Sequence, residues 1–265
     1  MSEATVLSSV DGRGVATVTL NRPRVNNAYN ADMIGALLDG LPVLAADPRV
    51  RLVVIRGNGP HFQAGADLKW IDQVRVGSED HNQEVSRRTA ELVWRLNAFP
   101  RPVIALVHGG CFGGGIGVIA ACDVVIAQAD AQFAITEARW GLTAAIIIPQ
   151  LIGAMGLRQV RRYALSGERF DAARAQAVGL VHEICAPGEL DAAAAPVIEA
   201  FLKSAPRAIA ETKAQALEHA GALIDEDDFD RLVEEHARKR MSEEAVEGLA
   251  SFRDRRDPQW YPGAG

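Results

Sequence analysis

Cysteine is scarce in this sequence, and the three present, Cys111, Cys122 and Cys185, form no C-x-x-C pair. Their apolar or glycine-rich surroundings read as buried free thiols, which excludes a disulfide scaffold and points to a reducing compartment. Long apolar runs are missing as well. The longest, around Thr143 to Pro149, is broken by proline and falls far short of the ~20 residues that a bilayer-spanning helix needs. The opening MSEATVLSSVDGRG has neither the basic nor the apolar region of a secretory leader, so the expected location is the cytoplasm, with no membrane partner. Positive charge is in deficit: 28 Lys and Arg against 34 Asp and Glu give a net charge of −6. That balance argues against a general nucleic-acid binder and leaves any anionic ligand to a few placed cations or to backbone amides. His61, His108 and His182 lie near glycine-rich motifs but lack the spacing of metal ligands, and no H-E-x-x-H occurs, so no metal is expected. No serine stands in G-x-S-x-G, which leaves acyl transfer through serine unsupported.

Glycine, by contrast, is concentrated. At 265 residues with 48% hydrophobic content the chain can bury one large core, and two stretches of it share a phrase. RLVVIRG runs into NGPHFQAGADLKW, and PVIALVH runs into GGCFGGGIGVIAACD. Each reads as an apolar strand (Leu52 to Ile55; Val103 to Val107), a glycine turn, a phenylalanine, a glycine three residues on, and a helix start. Repeated units of this kind predict an α/β architecture. Elsewhere VATVTL (Val15 to Leu20) alternates like a strand after an Asp11-Gly12 turn. A helix is expected over Met33 to Ala46, capped by Asn30 or Asp32, with Pro42 kinking or breaking it. Residues 77–82 read as a polar loop, Gln83 to Ala98 as a helix, and Val124 to Ala127 and Gln132 to Ile135 as short strands. From Leu190 the pattern turns helical: Asp191 to Lys203, Pro206 to Ala220, an acidic turn at Asp225 to Asp228, Arg231 to Met241, and Glu243 to Arg253.

Gly115-Ile-Gly117-Val-Ile-Ala120 spells the dinucleotide fingerprint G-x-G-x-x-A. The spacing weighs against it, since few residues separate Gly115 from the next apolar run at Val124 for a crossover helix, and so does the position, since the fingerprint normally opens its domain. No Gly-Lys-Ser/Thr follows the glycines, which excludes a Walker-type phosphate loop. Two glycine loops at helix starts can instead aim free amides at one point, an arrangement suited to an anion or to a carbonyl oxygen gaining charge.

HFQAGADLKW, HGGCFGGGIGVIAACDVVIA, Phe133 to Leu142 and ARAQAVGLVHEI, in that order, resemble the crotonase (enoyl-CoA hydratase/isomerase) superfamily over nearly the whole chain. The resemblance implies an α/β spiral of ββα units, here residues 1–195 with the acyl-CoA site, and a helical C-terminal oligomerisation region, 196–265, assembled as a homotrimer or homohexamer. It implies chemistry through a thioester enolate, with CoA carried by the substrate and no separate cofactor. By position the amides of Ala66 and Gly114 would hold the thioester oxygen. Arg24, with Arg22 near it, would meet CoA phosphate, and the backbone of Ala64, Asp67 and Leu68 would hold the adenine end. Arg253, Arg255 and Arg256 read as a solvated face or as a contact to a neighbour's CoA. Family hydratases carry two glutamates. Glu137 matches the second, although a carboxylate at a helix start is also favoured by the dipole alone. Gly117 stands where the first would be, placing this chain's glycine beside the substrate. Trp140, Leu142 and Ile146 to Ile148 would desolvate Glu137 and raise its pKa, and they read either as acyl-pocket wall or as plain core. GGGIGVIAACD and TEARWGLTAAIIIPQLIGA resemble the branch acting on glutaconyl-type CoA esters. The expected activity is hydration of a branched, carboxylated 2-enoyl-CoA (3-methylglutaconyl or isohexenylglutaconyl), with water activated by a substrate carboxylate or a polar residue such as Gln63. A Δ3,Δ2-isomerase using one base, and an acyl-CoA-binding protein without catalysis, are the alternatives.

Overall fold

Strands form where apolar residues alternate or run on, and the parallel ones set the frame for the site. The structure is a computed structural model that describes residues 4–220 and 242–263. β1 (Val6–Val10) and β2 (Val15–Leu20) form an antiparallel hairpin, its turn fixed by Asp11, whose carboxylate accepts from the Arg13 and Val15 N–H groups at 2.9 and 2.8 Å. β3 (Leu52–Gly57), β4 (Val103–Val107), β6 (Val124–Gln128) and β9 (Glu183–Cys185) continue the sheet in parallel, in the order β1-β2-β3-β4-β6-β9. A second sheet of β5 (Gly110–Phe112), β7 (Gln132–Ala134) and β8 (Phe170–Asp171) packs beside it in the order β5-β7-β8.

Burial on both faces explains why β3 and β4 read as continuous apolar runs. Val53, Ile55, Val103, Ala105 and Val107 face the main core, while Leu52, Val54, Ile104 and Leu106 face a second core. That second core is closed by α8 (Leu190–Lys203) through Leu190, Ala194 and Leu202. The expected domain boundary after residue 195 therefore falls inside one continuous helix that packs on the sheet.

α1 (Ala31–Ala46) is capped by Asn30, whose side chain accepts from Met33 N, and it runs unbroken through Pro42. The helix contributes Ile34, Leu38, Leu41 and Leu44 to the core, and that burial outweighs the one ladder bond that proline removes. α2 (Leu68–Arg75) is capped by Asp67. α3 (Glu79–Asn97) begins four residues earlier than the sequence suggests, because Ser78 caps it and Glu79 and Asp80 suit its positive end; the expected loop over 77–82 is mostly helix. α4 (Gly114–Ala120) follows β5. Then come α5 (Ile148–Met155), α6 (Leu157–Ser166), α7 (Ala172–Ala177), α9 (Pro206–Glu218) and α10 (Glu243–Asp254). The expected turn at Asp225 to Asp228 and helix at Arg231 to Met241 lie outside the described residues.

Two loops leave the C-terminal ends of β3 and β4, where parallel sheets place their ligand sites. They zip together: Phe62 N donates to His108 O, Gln63 N to Gly110 O, and Phe112 N to Gln63 O. Asn27, fully buried, ties the first loop to β2 by donating to the carbonyls of Asn58, His61 and Phe62 while accepting from Arg22 N.

Candidate active site

The zipped loops bring Gly65 and Gly113 into contact, since a Cβ placed on Gly113 would lie 3.6 Å from Gly65 Cα. Both occupy positive φ, +85° and +52°, which only glycine adopts without strain, and this turns the next residue's N–H outward in each loop. Those residues are Ala66 and Gly114. Among the described residues neither N–H has a protein acceptor, whereas the neighbouring Asp67 N donates to Tyr29 O and Gly113 N to Ala134 O. Two free amides thus converge, as the paired phrase in the sequence led us to expect.

Glu137 opens a 3-10 turn (Glu137–Trp140) directly after β7, and its Oε1 would lie 3.3 Å from a Cβ on Gly113. Its Oε2 is buried with no hydrogen-bond partner. Burial raises its carboxyl pKa against the opposing pull of backbone N–H groups at Glu137 and Thr136. The three groups open into a cavity of about 480 Å³ whose far end is apolar, lined by Met33, Leu37 and Leu41 of α1 and by Val85, Leu92 and Leu96 of α3. Trp140, Leu142, Ile146 and Ile147 also line it, while Ile148 does not, and Ile147 belongs to the main core at the same time, so the apolar run beside Glu137 serves as both wall and core. Glu137 and Arg169 are its only charged lining residues among those described.

Several sequence-based expectations need correction. Gly117 does not line the cavity. A Cβ there would meet Ile147 Cγ2 at 2.2 Å, so the isoleucine fills the space of the absent carboxylate and keeps Gly117 from the ligand. Asp67 is committed elsewhere: its side chain caps α2 and pairs with Arg22 at 2.9 Å, and its N–H is used by Tyr29. Arg22 is thereby occupied, while Arg24 is exposed and lies outside the cavity lining. Ala64 and Leu68 do line the cavity, although Ala64 N is spent on Asn26 O. Gln63 lines the cavity, and its side-chain carbonyl accepts from Gly65 N at 2.8 Å, which braces the turn. His61, His108 and His182 serve the scaffold through bonds with Gly110 N, Gly59 O and Val125 N. Tyr29 and Arg169 are cavity residues that no local motif singles out. Tyr29 stands two residues after Asn27 in a polar loop, and only its register against Ala66 reveals it.

Convergent amides beside a desolvated carboxylate, over an apolar pocket at the ends of parallel strands, define a site for polarising a carbonyl and moving a proton near it. The comparisons agree. The chain belongs to the enoyl-CoA hydratase/isomerase family, whose model matches residues 11–262. It is an enzyme of that family, with a hydratase or isomerase role. Its fold overlays a crystal structure of an enoyl-CoA hydratase from Shewanella pealeana with a TM-score of 0.92 at 36% identity, covering 97% of this chain and 96% of that one. It is 31% identical to the mevalonyl-coenzyme A hydratase of Aspergillus fumigatus, over 94% of this chain and 92% of the relative. To the 2,3-dehydroadipyl-CoA hydratase of Escherichia coli it is 30% identical, over 93% and 94%.

A pH dependence follows from Glu137. A base must be ionised to accept a proton, so kcat/KM should fall on an acid limb set by this carboxyl, at a pH above the ordinary glutamate range. The sign for stability is opposite. The native state keeps that proton to higher pH than the unfolded chain does, so stability falls as pH rises from the ordinary value through the raised one. Rate profiles and thermal melts from pH 4 to 8, beside Glu137→Gln, check both; an acid limb that persists in the variant would assign it to another group.

Proposed function

We propose that this enzyme adds water reversibly to a 2-enoyl-CoA thioester, with a branched, carboxylated glutaconyl-type acyl group as the substrate class. The observation that carries the reading is Glu137: a buried carboxylate with an unpartnered oxygen, beside two unused amides. Ionised Glu137 takes a proton from water as the water oxygen bonds to Cβ. The π electrons move to the thioester oxygen, held between the Ala66 and Gly114 N–H groups, and the enolate collapses as Cα takes the same proton from Glu137. One carboxylate thus handles both transfers, and CoA enters as part of the substrate with no further cofactor. Arg24, exposed outside the cavity lining, would meet the CoA phosphates where they leave the pocket, with Ala64 and Leu68 along the CoA path.

Support for a carboxylated acyl group comes from Arg169, a cation in the cavity wall whose guanidinium lies 5.2 Å over the Phe112 ring and which has no acidic partner among the described residues. The dehydroadipyl relative is named for a substrate with a second carboxyl group. A homotrimer or homohexamer is the proposed assembly, supported by Val246, Leu249 and Phe252, which lie exposed at helical spacing on α10.

Incubation with 3-methylglutaconyl-CoA should bleach the enoyl-thioester absorbance and yield a 3-hydroxyacyl-CoA. Ile147 over Gly117 also favours a second reading, Δ3,Δ2-isomerisation, which needs one base only. A shifted double bond with no hydroxyacyl product would replace the first reading with the second.

A further inference from the structure

The vacant glutamate position leaves the attacking water without its second holder, and the opposite wall of the site supplies a candidate. Gly114 and Gly117 lie one turn apart on the same face of α4. Ile147 covers that face at Gly117. At Gly114 it is covered by a phenol: a Cβ placed there would lie 2.7 Å from Cε1 and 3.0 Å from the hydroxyl of Tyr29. Glu137 Oε1 occupies the corresponding place over Gly113, 3.3 Å from its would-be Cβ. Phenol and carboxylate therefore flank the turn that presents the Gly114 amide.

Tyr29 is held firmly. Its N–H donates to Gly65 O and its carbonyl accepts from Asp67 N, both at 2.9 Å, a bridge that straddles Ala66 and so ties the tyrosine to the segment carrying the other free amide. Its ring meets Trp70 edge-on at 5.9 Å. The ring lines the cavity, and among the described residues the hydroxyl has no protein partner. Phenols inside proteins normally find a partner, so one left free at a cavity wall is addressed to what enters.

Resting on the hydratase reading above, we propose that the Tyr29 hydroxyl is a second catalytic group, contacting the attacking water and holding its oxygen toward Cβ in place of the missing carboxylate. Burial and the nearby charge of Glu137 push the phenol up to about 12, so it stays neutral. It offers one donor and lone pairs but takes no proton, and the base role stays with Glu137. Water gives one proton to Glu137 while its other O–H points at the Tyr29 oxygen and is retained in the product hydroxyl.

Tyr29→Phe keeps the ring and its contact with Trp70 and removes only the hydroxyl. Two reactions separate its role from that of Glu137: hydration of 3-methylglutaconyl-CoA, which needs a held water, and exchange of butyryl-CoA α-protons in D2O, which needs only a base and the amides. For Tyr29→Phe, hydration kcat should fall by about 10²-fold, with KM and the exchange rate each within about 3-fold of native. Hydration within about 3-fold of native would overturn the proposal. So would hydration and exchange falling together, which would make Tyr29 a support for Glu137 rather than a contact to water. A native protein that exchanges α-protons but hydrates neither 3-methylglutaconyl-CoA nor crotonyl-CoA removes the hydratase reading itself, and this failure is visible without any variant.

Discussion

Glu137→Gln is expected to lower kcat by on the order of 10²–10⁴-fold, a barrier increase of about 3–5 kcal/mol, with little change in the affinity for a CoA ester. Glutamine matches the shape of the acid and leaves the cavity wall of Trp140, Leu142 and Ile147 in place, so the loss reports proton transfer rather than packing. With the Gly117 position lacking a side chain, no second carboxylate among the described residues lines the cavity to take over, and the effect should reach hydration, isomerisation and α-proton exchange alike. Steady-state rates on 3-methylglutaconyl-CoA and binding of a non-reactive acyl-CoA, measured side by side, check it. Turnover within a few-fold of native would remove Glu137 from the chemistry.

Restoring the missing carboxylate should fail unless room is made for it. At Gly117 the backbone is ordinary helix, so the obstacle is Ile147, whose Cγ2 and Cβ would sit 2.2 and 2.8 Å from a new Cβ. Both residues are buried, Ile147 at 2% exposure. Gly117→Glu alone therefore overpacks a filled core and buries a charge, at a cost of about 3 kcal/mol or more, which corresponds to a melting temperature lower by roughly 6–12 °C. Ile147→Gly alone opens a cavity and also destabilises. The pair Gly117→Glu with Ile147→Gly should melt well above the sum of the two losses, because each substitution removes the other's problem. Additive losses in that double-mutant cycle, read by thermal melts, would show that Ile147 does not occupy the carboxylate's place.

The parts of this molecule that sequence made legible are those whose signal is local. PVIALV announced β4 because both faces of that strand are buried, and the paired glycine phrases announced the two loops because positive φ at Gly65 and Gly113 leaves few alternatives. The amides of Ala66 and Gly114 came from the same phrases, and Glu137 from the Phe133 to Leu142 block, through family resemblance. What escaped depends on partners distant in the chain. β1, VLSSV, has serines at its centre and is a strand through its pairing with β2. β5 hides among glycines and exists through its register with β7. The first turn of α3 is polar throughout and looked like loop until Ser78 was seen to cap it. At the site, Gly117 could be read as vacant, but that Ile147 fills the vacancy is a contact between segments. The same holds for Tyr29, which reaches the amides only because the polar loop after β2 is bridged to Ala66.

The proposed hydration rests on a thioester oxygen seated between the Ala66 and Gly114 amides. The Glu137→Gln variant should hold an unreacted enoyl-CoA in place with both amides intact, so the carbonyl stretch of a 13C-labelled thioester can be read in the complex by infrared difference spectroscopy. Two converging N–H donors should shift that stretch clearly below its value for the free ester in water. A bound carbonyl at the frequency of the free ester would contradict the oxyanion hole and the enolate chemistry built on it.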